Sequence, residues 1–171
     1  MKTRRTWLIF ILMSISIVSV SAYVYESAQQ TVNQNIRDVA TFTLQNSVLG
    51  DTYEGETKTY TKANVAALGK AMSITTNLDG VILRLNSDLD LLALSYSTYE
   101  VTVKFIAVPS GSGKSVDTVA FTLTPGSPDP APITLDLKGT WDFDFEITTT
   151  AGSVSSDQGQ LLTITATAES T

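Results

Sequence analysis

Most of the chain alternates between apolar and polar residues with a period of two. The pattern is clearest toward the C-terminus, where odd positions are apolar and even positions are polar. Successive side chains of a β-strand point to opposite faces, so this pattern predicts strands with one face on a core and the other in water. The apolar set is Ile133, Leu135, Leu137, Trp141, Phe143, Phe145 and Ile147, and the polar set is Thr134, Asp136, Lys138, Thr140, Asp142, Asp144 and Glu146.

The same alternation, rich in β-branched and aromatic residues, predicts further strands, separated by turns that contain Gly, Pro, Asp and Ser. Two short stretches look helical: Asp88 to Ser95, with Ser87 as a possible N-cap, and Asn64 to Leu68. Eight or nine strands without βαβ alternation indicate an all-β, antiparallel sandwich. The further predicted strands cover residues 38–44, 56–62, 70–76, 81–85, 99–107, 118–124 and 160–168.

The end of the chain is the most diagnostic part. A strand ends near Leu137, Gly139 forms a corner before Trp141, a strand follows to Ile147, and a polar loop leads to a last strand. This order resembles the last three strands of immunoglobulin-like and related extracellular sandwiches. The resemblance implies an immunoglobulin-like or jelly-roll β-sandwich of about eight or nine strands.

The N-terminus carries a membrane-directed segment. Three basic residues precede an uncharged, strongly apolar run from Trp7 to Val20. The small residues at Ser21 and Ala22 favour a cleavable signal peptide, whereas the length from Thr6 to Tyr25 also suits an uncleaved hydrophobic helix that anchors the chain. Either alternative places the rest of the chain outside the cell. The residues that we expect to enter the membrane include Trp7, Leu8, Ile9, Phe10, Ile11 and Leu12.

The sequence therefore divides into three parts: a signal peptide or anchor over residues 1–22, a polar stalk or donor-strand extension over residues 23–35, and a β-sandwich over residues 36–171. The segment Gln29 to Leu44 is either the first strand of its own sandwich or a strand that completes a neighbour's sheet. Strand addition supplies main-chain hydrogen bonds along a whole segment. The candidate donor residues are Ile36, Val39, Ala40, Phe42 and Leu44.

Composition narrows the possible functions. The 171 residues include no cysteine and no histidine, which excludes catalytic triads that use imidazole, thiolate nucleophiles, the usual zinc sites and disulfides. The formal charge is −6, and the basic residues are scattered, so no nucleic-acid partner is expected. Removal of residues 1–22 leaves 8 basic and 17 acidic residues, a charge of −9. No cofactor and no catalytic residue are predicted.

Three polar constellations merit attention. Ser110 to Ser115 ends like a phosphate-binding loop but lacks its first glycine and its flanking helix, so we expect a hairpin loop. A solvated acidic strand face is the simpler interpretation of Asp142, Asp144 and Glu146, with Asp136 on the neighbouring strand; weak cation binding is the alternative. The weak calcium candidates, which lack the complete pattern of a calcium loop, are Asn86, Asp88, Asp90, Asp142 and Asp144.

The layout as a whole resembles small secreted archaeal surface proteins. A signal, a strand that ends in Asn46-Ser47-Val48-Leu49-Gly50-Asp51 and a cysteine-free, Thr-rich β-domain are similar in layout to TasA-like biofilm fibre proteins and archaeal bundling pilins. The resemblance implies that an N-terminal strand, here Gln29 to Leu44, enters the next subunit. We therefore expect a non-catalytic cell-surface or matrix protein that associates with itself or with another surface protein. A tethered or secreted binding module for carbohydrate or protein is the alternative.

Overall fold

A computed structural model of the chain describes residues 38–153 and 160–171. The predicted membrane segment and Ile36 lie outside these residues. The described part contains nine strands and two short 3₁₀ helices, and every strand pairing is antiparallel, which confirms the all-β prediction. The strands are β1 (Ala40–Leu44), β2 (Thr57–Tyr60), β3 (Met72–Thr76), β4 (Val81–Ser87), β5 (Tyr96–Ala107), β6 (Val119–Leu123), β7 (Ile133–Leu135), β8 (Gly139–Ala151) and β9 (Ile164–Glu169).

The larger sheet has the order β1-β3-β8-β5-β6, and β2 also pairs with β8. Its central strand, β8, is 13 residues long. Strand β3 lies against residues 139–143 of β8 and β2 against residues 147–150, while β5 covers the opposite edge. One long strand therefore joins all the other parts of this sheet.

The smaller sheet consists of β4 flanked by β7 and β9. Its alternate side chains face the larger sheet, with Val81, Leu83, Leu85 and Leu135 fully buried. Both sheets contribute to one hydrophobic cluster, so the fold is β-sandwich-like.

Aromatic residues of β8 fill the centre of the core, as the alternation predicts. Trp141 and Phe143 are fully buried, and the ring of Phe105 lies 5.9 Å and 4.9 Å from theirs. The indole Nε1–H of Trp141 donates to the carbonyl oxygen of Leu137 at 3.1 Å, which satisfies its polar atom. Burial of each such side chain stabilises the fold by about 1.5–3 kcal/mol.

The two predicted helical stretches are 3₁₀ helices, at Ala66–Leu68 and Leu89–Leu94. The predicted cap is wrong: Ser87 is the last residue of β4, and Asp88 holds the N-cap position. The Asp88 carboxylate instead accepts the backbone N–H of Thr163 at 2.7 Å. Within the described ranges, no helix has both the length and the apolar character to cross a bilayer.

Gly139 begins β8 and sets the direction of that strand. Its φ of 142° is a conformation that favours glycine, and a Cβ at this position would lie 2.9 Å from Cγ of Pro109. The corner that the sequence predicts at Gly139 therefore depends on glycine, because a side chain would not fit this backbone conformation.

Candidate functional site

An open groove with an apolar floor and a largely polar wall lies where the smaller sheet fails to cover the larger one. It encloses about 1140 Å³ between β9 and the segment 45–54, which connects β1 to β2 and is named the wall segment below. Its apolar lining comes from both sheets and both 3₁₀ helices. The lining includes Leu68, Met72, Leu92, Phe145, Ile147 and Ile164.

The groove explains one departure from the alternation. Phe145 belongs to the apolar set of β8, yet it is only partly buried, whereas its neighbours Phe143 and Ile147 are buried. Phe145 lines the groove, so the core is incompletely covered at that point. A folded chain gains free energy when such apolar surface is covered by another group.

The groove runs along β9, which pairs with β4 alone in the described part of the chain. In an antiparallel pair, residues that exchange backbone hydrogen bonds alternate with residues that do not. Asp88 lies opposite Thr163, one step beyond Ser87 and Ile164 in the same register, and its N–H donates to the Thr163 carbonyl oxygen at 3.2 Å. Bonded positions therefore recur along β9 at Thr165, Thr167 and Glu169.

The intervening residues of β9, Ile164, Ala166 and Ala168, consequently direct their backbone N–H and C=O groups away from β4, toward the unpaired edge. We call these backbone groups the β9 edge. Leu162, Ile164 and Ala166, which precede or belong to β9, line the groove. The β9 edge is thus a row of unpaired donors and acceptors beside exposed apolar surface.

Other sheet edges are protected by features that discourage pairing. Strand β7 has only three residues and follows two prolines, Pro130 and Pro132, and β6 pairs with β5 through a register shift. Strands β1, β6 and β9 contain neither proline nor a basic residue. Of these three, β6 does not line the groove and β1 reaches it only at Leu44.

The rim of the groove exposes large apolar side chains. Val48 is 90% exposed, Leu161 81% and Tyr53 73%, and Leu44 is half exposed. All four line the groove. Several exposed apolar side chains around one groove favour an interaction site over a solvated face.

The wall segment is attached at Gln45 and between Gly50 and Glu54, where Lys58 also donates to the carbonyl oxygen of Asp51 and Ser153 to the carboxylate of Glu54. Gln45 N–H donates to the carbonyl oxygen of Ala71 at 2.9 Å, and the Tyr60 hydroxyl donates to the carbonyl oxygen of Gly50 at 2.8 Å. The Thr52 hydroxyl lies 2.8 Å from the same Tyr60 oxygen. Between Asn46 and Leu49, no hydrogen bond to another described residue is formed. Tyr60 therefore holds the middle of the wall segment against the core.

Two tyrosines contribute polar groups to the groove. The rings of Tyr96 and Tyr99 meet edge to face at 5.1 Å. Burial, followed by the nearby Tyr96 and Tyr60, raises the pKa of Tyr99 to about 12, and burial also raises the pKa of Tyr96. Both phenols are neutral at physiological pH, so the floor of the groove is uncharged.

The outer face of β8 is balanced in charge rather than purely acidic. Asp142 pairs with Lys70 at 2.9 Å, Asp144 with Lys62 at 2.7 Å, and Glu146 with Lys104 at 2.7 Å. These lysines come from distant parts of the sequence. Each carboxylate of the predicted acidic face thus already has a cationic partner.

The expectation that Asp136 joins this face is wrong. Asp136 follows β7, which belongs to the smaller sheet and pairs with β4, not with β8. Its carboxylate accepts the N–H of Gly113, in the loop between β5 and β6. That loop contains the Ser110 to Ser115 motif and is a hairpin connection, as predicted.

The structure does not bring the calcium candidates into one cluster. Asn86 is an exposed residue of β4, Asp88 accepts from Thr163, and Asp90 accepts the N–H of Gly126 at 2.6 Å. Asp142 and Asp144 lie in the other sheet. Among the described residues, no group of three or more acidic side chains is arranged to hold a metal ion.

The described donor candidates lie at the edge of their own larger sheet. β1 pairs with β3 from Ala40 opposite Thr76 to Leu44 opposite Met72. Val39, Ala40 and Phe42 pack against the core. Donation of β1 would require this pairing to break, whereas residues up to Arg37, including Ile36, are outside the described part. The donor role remains a prediction.

Sequence reasoning missed the groove, the wall segment and the β9 edge. One signal was present: the last strand, Ile-Thr-Ala-Thr-Ala-Glu, has small inward residues and no protective charge or proline before its final Glu169. Comparison of the chain with protein-family models and with curated proteins finds no match.

Proposed function

We propose that this chain is a non-catalytic structural protein of the cell surface or extracellular matrix that associates with itself by strand addition. One observation carries the proposal: a groove with an apolar floor and exposed apolar side chains at its rim runs beside the β9 edge. An added strand forms main-chain hydrogen bonds with such an edge and places alternate side chains in the groove. The donor that we propose is Gln29 to Leu44, of which Ala40–Leu44 form β1.

The chemistry of the chain supports binding over catalysis. It offers no imidazole or thiol. The carboxylates near the groove, Asp51 and Glu54, belong to the wall segment, while its floor is apolar and aromatic. Such a surface favours a peptide strand that places alternate apolar side chains on the floor over the stabilisation of a charged transition state.

Location outside the cell follows from the basic and apolar residues at positions 1–22, as a cleaved signal or as an anchor. The layout of the chain supports an immunoglobulin-like or jelly-roll domain similar to those of TasA-like fibre proteins and archaeal bundling pilins. Repulsion between copies with a charge of −9 favours directional pairing over non-specific contact.

A membrane-tethered or secreted binding module for carbohydrate or protein is the second candidate. The exposed ring of Tyr53 at the rim favours it, because an accessible aromatic ring is a common contact for sugars and peptides. Lys58 Nζ lies 5.7 Å from the centre of that ring and adds a cationic group.

The test is electron microscopy and light scattering of protein expressed from the full sequence, with intact-mass analysis to locate its N-terminus. Self-association predicts filaments or concentration-dependent oligomers. Replacement of residues 29–35 by Gly and Ser, with the length kept, should abolish them and leave the fold intact by circular dichroism. A parent protein that stays monomeric at all concentrations contradicts the proposal, and unchanged polymers in the replaced variant contradict the N-terminal donor.

A further inference from the structure

We infer that the β9 edge is the template for association, and that residues 23–37 of a second copy pair with it. This inference rests on the proposed function and adds the acceptor strand, its bonding positions and the donor residues that precede β1. Ile164, Ala166 and Ala168 each offer one backbone N–H and one C=O on the unpaired side.

The length of the groove suits one short strand. The groove follows the chain from Gln160 to Ala166 beside β9, a length of about 20 Å for an extended chain. Its lining residues Leu68, Met72 and Phe145 come from the opposite side of the core. An added strand would therefore face β9 with its backbone and this apolar floor with alternate side chains.

Small side chains on β9 leave room for the incoming strand. Ala166 and Ala168 stand opposite Leu85 and Leu83 of β4 in the register of the smaller sheet. Ala166 and Ala168 are only partly buried, whereas Leu83 and Leu85 are fully buried. The partner that completes this sheet must fill the space that two alanines leave.

The direction of β1 favours a second copy over the same chain. β1 runs from Ala40, opposite Thr76, to Leu44, opposite Met72, and of its residues only Leu44 lines the groove. The chain before Ala40 therefore joins β1 at the end that is farther from its own groove. Residues 23–37 span up to about 50 Å when extended, which is enough to reach a neighbouring copy.

The charge of residues 23–37 also favours them as the strand that binds in the groove. Residues 23–37 contain one acidic residue, Glu26, and one basic residue, Arg37, so they are neutral. The −9 charge that remains without residues 1–22 thus belongs entirely to residues 38–171. A neutral strand can enter this groove, whose floor is uncharged and whose wall carries Asp51 and Glu54, without bringing two acidic faces together.

Proline substitutions at adjacent residues test the edge directly. Ala166→Pro removes an N–H that points away from β4, and proline is tolerated where a strand N–H faces outward. Thr165→Pro removes an N–H that bonds to β4 and is the matched control. We expect Ala166→Pro to keep the fold and raise the concentration needed for association about tenfold or more, since pairing loses a donor and gains a clash. Thr165→Pro should lower the melting temperature.

The outcomes separate the two proposals. A folded Ala166→Pro variant that associates like the parent overturns the β9 edge and leaves self-association standing. A parent that never associates overturns the proposed function itself.

Disulfide cross-linking tests whether residues 23–37 of a second copy lie beside β9, even if Ala166→Pro does not fold. Because the chain has no cysteine, one protein with Leu161→Cys and another with Gln34→Cys carry a single thiol each. We expect oxidation of their mixture to give the mixed dimer, identified by mass, in excess over a mixture in which Ser112→Cys, in the β5–β6 loop, replaces Leu161→Cys. Equal yields overturn the inference. A chain that carries both Leu161→Cys and Gln34→Cys and forms only an internal disulfide also overturns it, in favour of pairing within one molecule.

Discussion

The hydroxyl of Tyr60 donates a hydrogen bond to the carbonyl oxygen of Gly50, 2.8 Å away. Tyr60 is buried at the end of β2, and Gly50 lies in the middle of the wall segment, so this bond ties the wall to the core. Tyr60→Phe keeps the ring and removes the bonds to Gly50 and Thr52. We expect a loss of about 1 kcal/mol in the free energy of unfolding, because two part-buried hydrogen bonds are lost.

Urea unfolding of the full chain checks this expectation, together with hydrogen exchange of the wall segment, which should become faster. Tyr53→Phe is the matched control, because the Tyr53 side chain is mostly exposed. Equal stabilities of the two variants would show that the Tyr60 bonds do not hold the wall.

Substitution of Gly139 should lower the stability of the fold for two reasons. Gly139→Ala places a Cβ 2.9 Å from Cγ of Pro109 and forces a side chain into a φ of 142°. We expect a loss of about 1–3 kcal/mol, measured by thermal unfolding. Gly50→Ala is the control, since a Cβ there meets nothing within 4 Å. A Gly139→Ala variant as stable as Gly50→Ala would mean that the corner adjusts freely.

Calcium should have little effect on the parent and a measurable effect once two lysines are removed. Lys62 and Lys70 neutralise Asp144 and Asp142. Lys62→Gln combined with Lys70→Gln leaves both carboxylates without their cations, and calcium at ten times its dissociation constant should then stabilise the fold by about 1.4 kcal/mol. Thermal unfolding with calcium or with EDTA measures this. An equal shift in the parent would support the calcium hypothesis for Asp142 and Asp144.

Alkaline pH should destabilise the fold through Tyr99. Its pKa of about 12 in the folded state lies above the ordinary tyrosine value of 10, mainly because the ring is buried. Below pH 10 both states hold the phenol proton; between pH 10 and 12 the unfolded chain releases it first, so stability falls as pH rises through this window. Tyr99→Phe should flatten the fall, as seen in urea midpoints against pH. If the urea midpoint of Tyr99→Phe falls with pH as steeply as that of the parent, the loss of stability at alkaline pH comes from other titrating groups.

The alternation along β8 predicted much of the fold because each strand has a local period. Trp141 and Phe143 share a parity and are both fully buried, while Asp142 and Asp144 lie on the opposite face; both of these side chains are only 13% exposed, so that face is less solvated than the sequence predicts. The same parity misplaced Asp136, since the corner at Gly139 sends β7 and β8 into different sheets. Periodicity fixes the face of a side chain within one strand and says nothing about which strands become neighbours.

The candidate site depends on such neighbours. Lys62 and Lys70 lie more than 70 residues before the carboxylates that they pair with, and the groove exists because the short sheet leaves Phe145 partly uncovered. No local pattern encodes the relative widths of two sheets. The lack of proline and basic residues in β9 was visible in the sequence, but it gains meaning only when that strand is found at an edge.

The position of β8 late in the sequence has a consequence for how the chain folds. Its pairs with β2 join residues as far as 93 positions apart, and its partners β2, β3 and β5 all precede it. Such high contact order slows folding to milliseconds or longer, because loop closure comes before the contacts that reward it. During that time the earlier strands have no central partner, so newly made chains held close together would pair with one another's strands before their own.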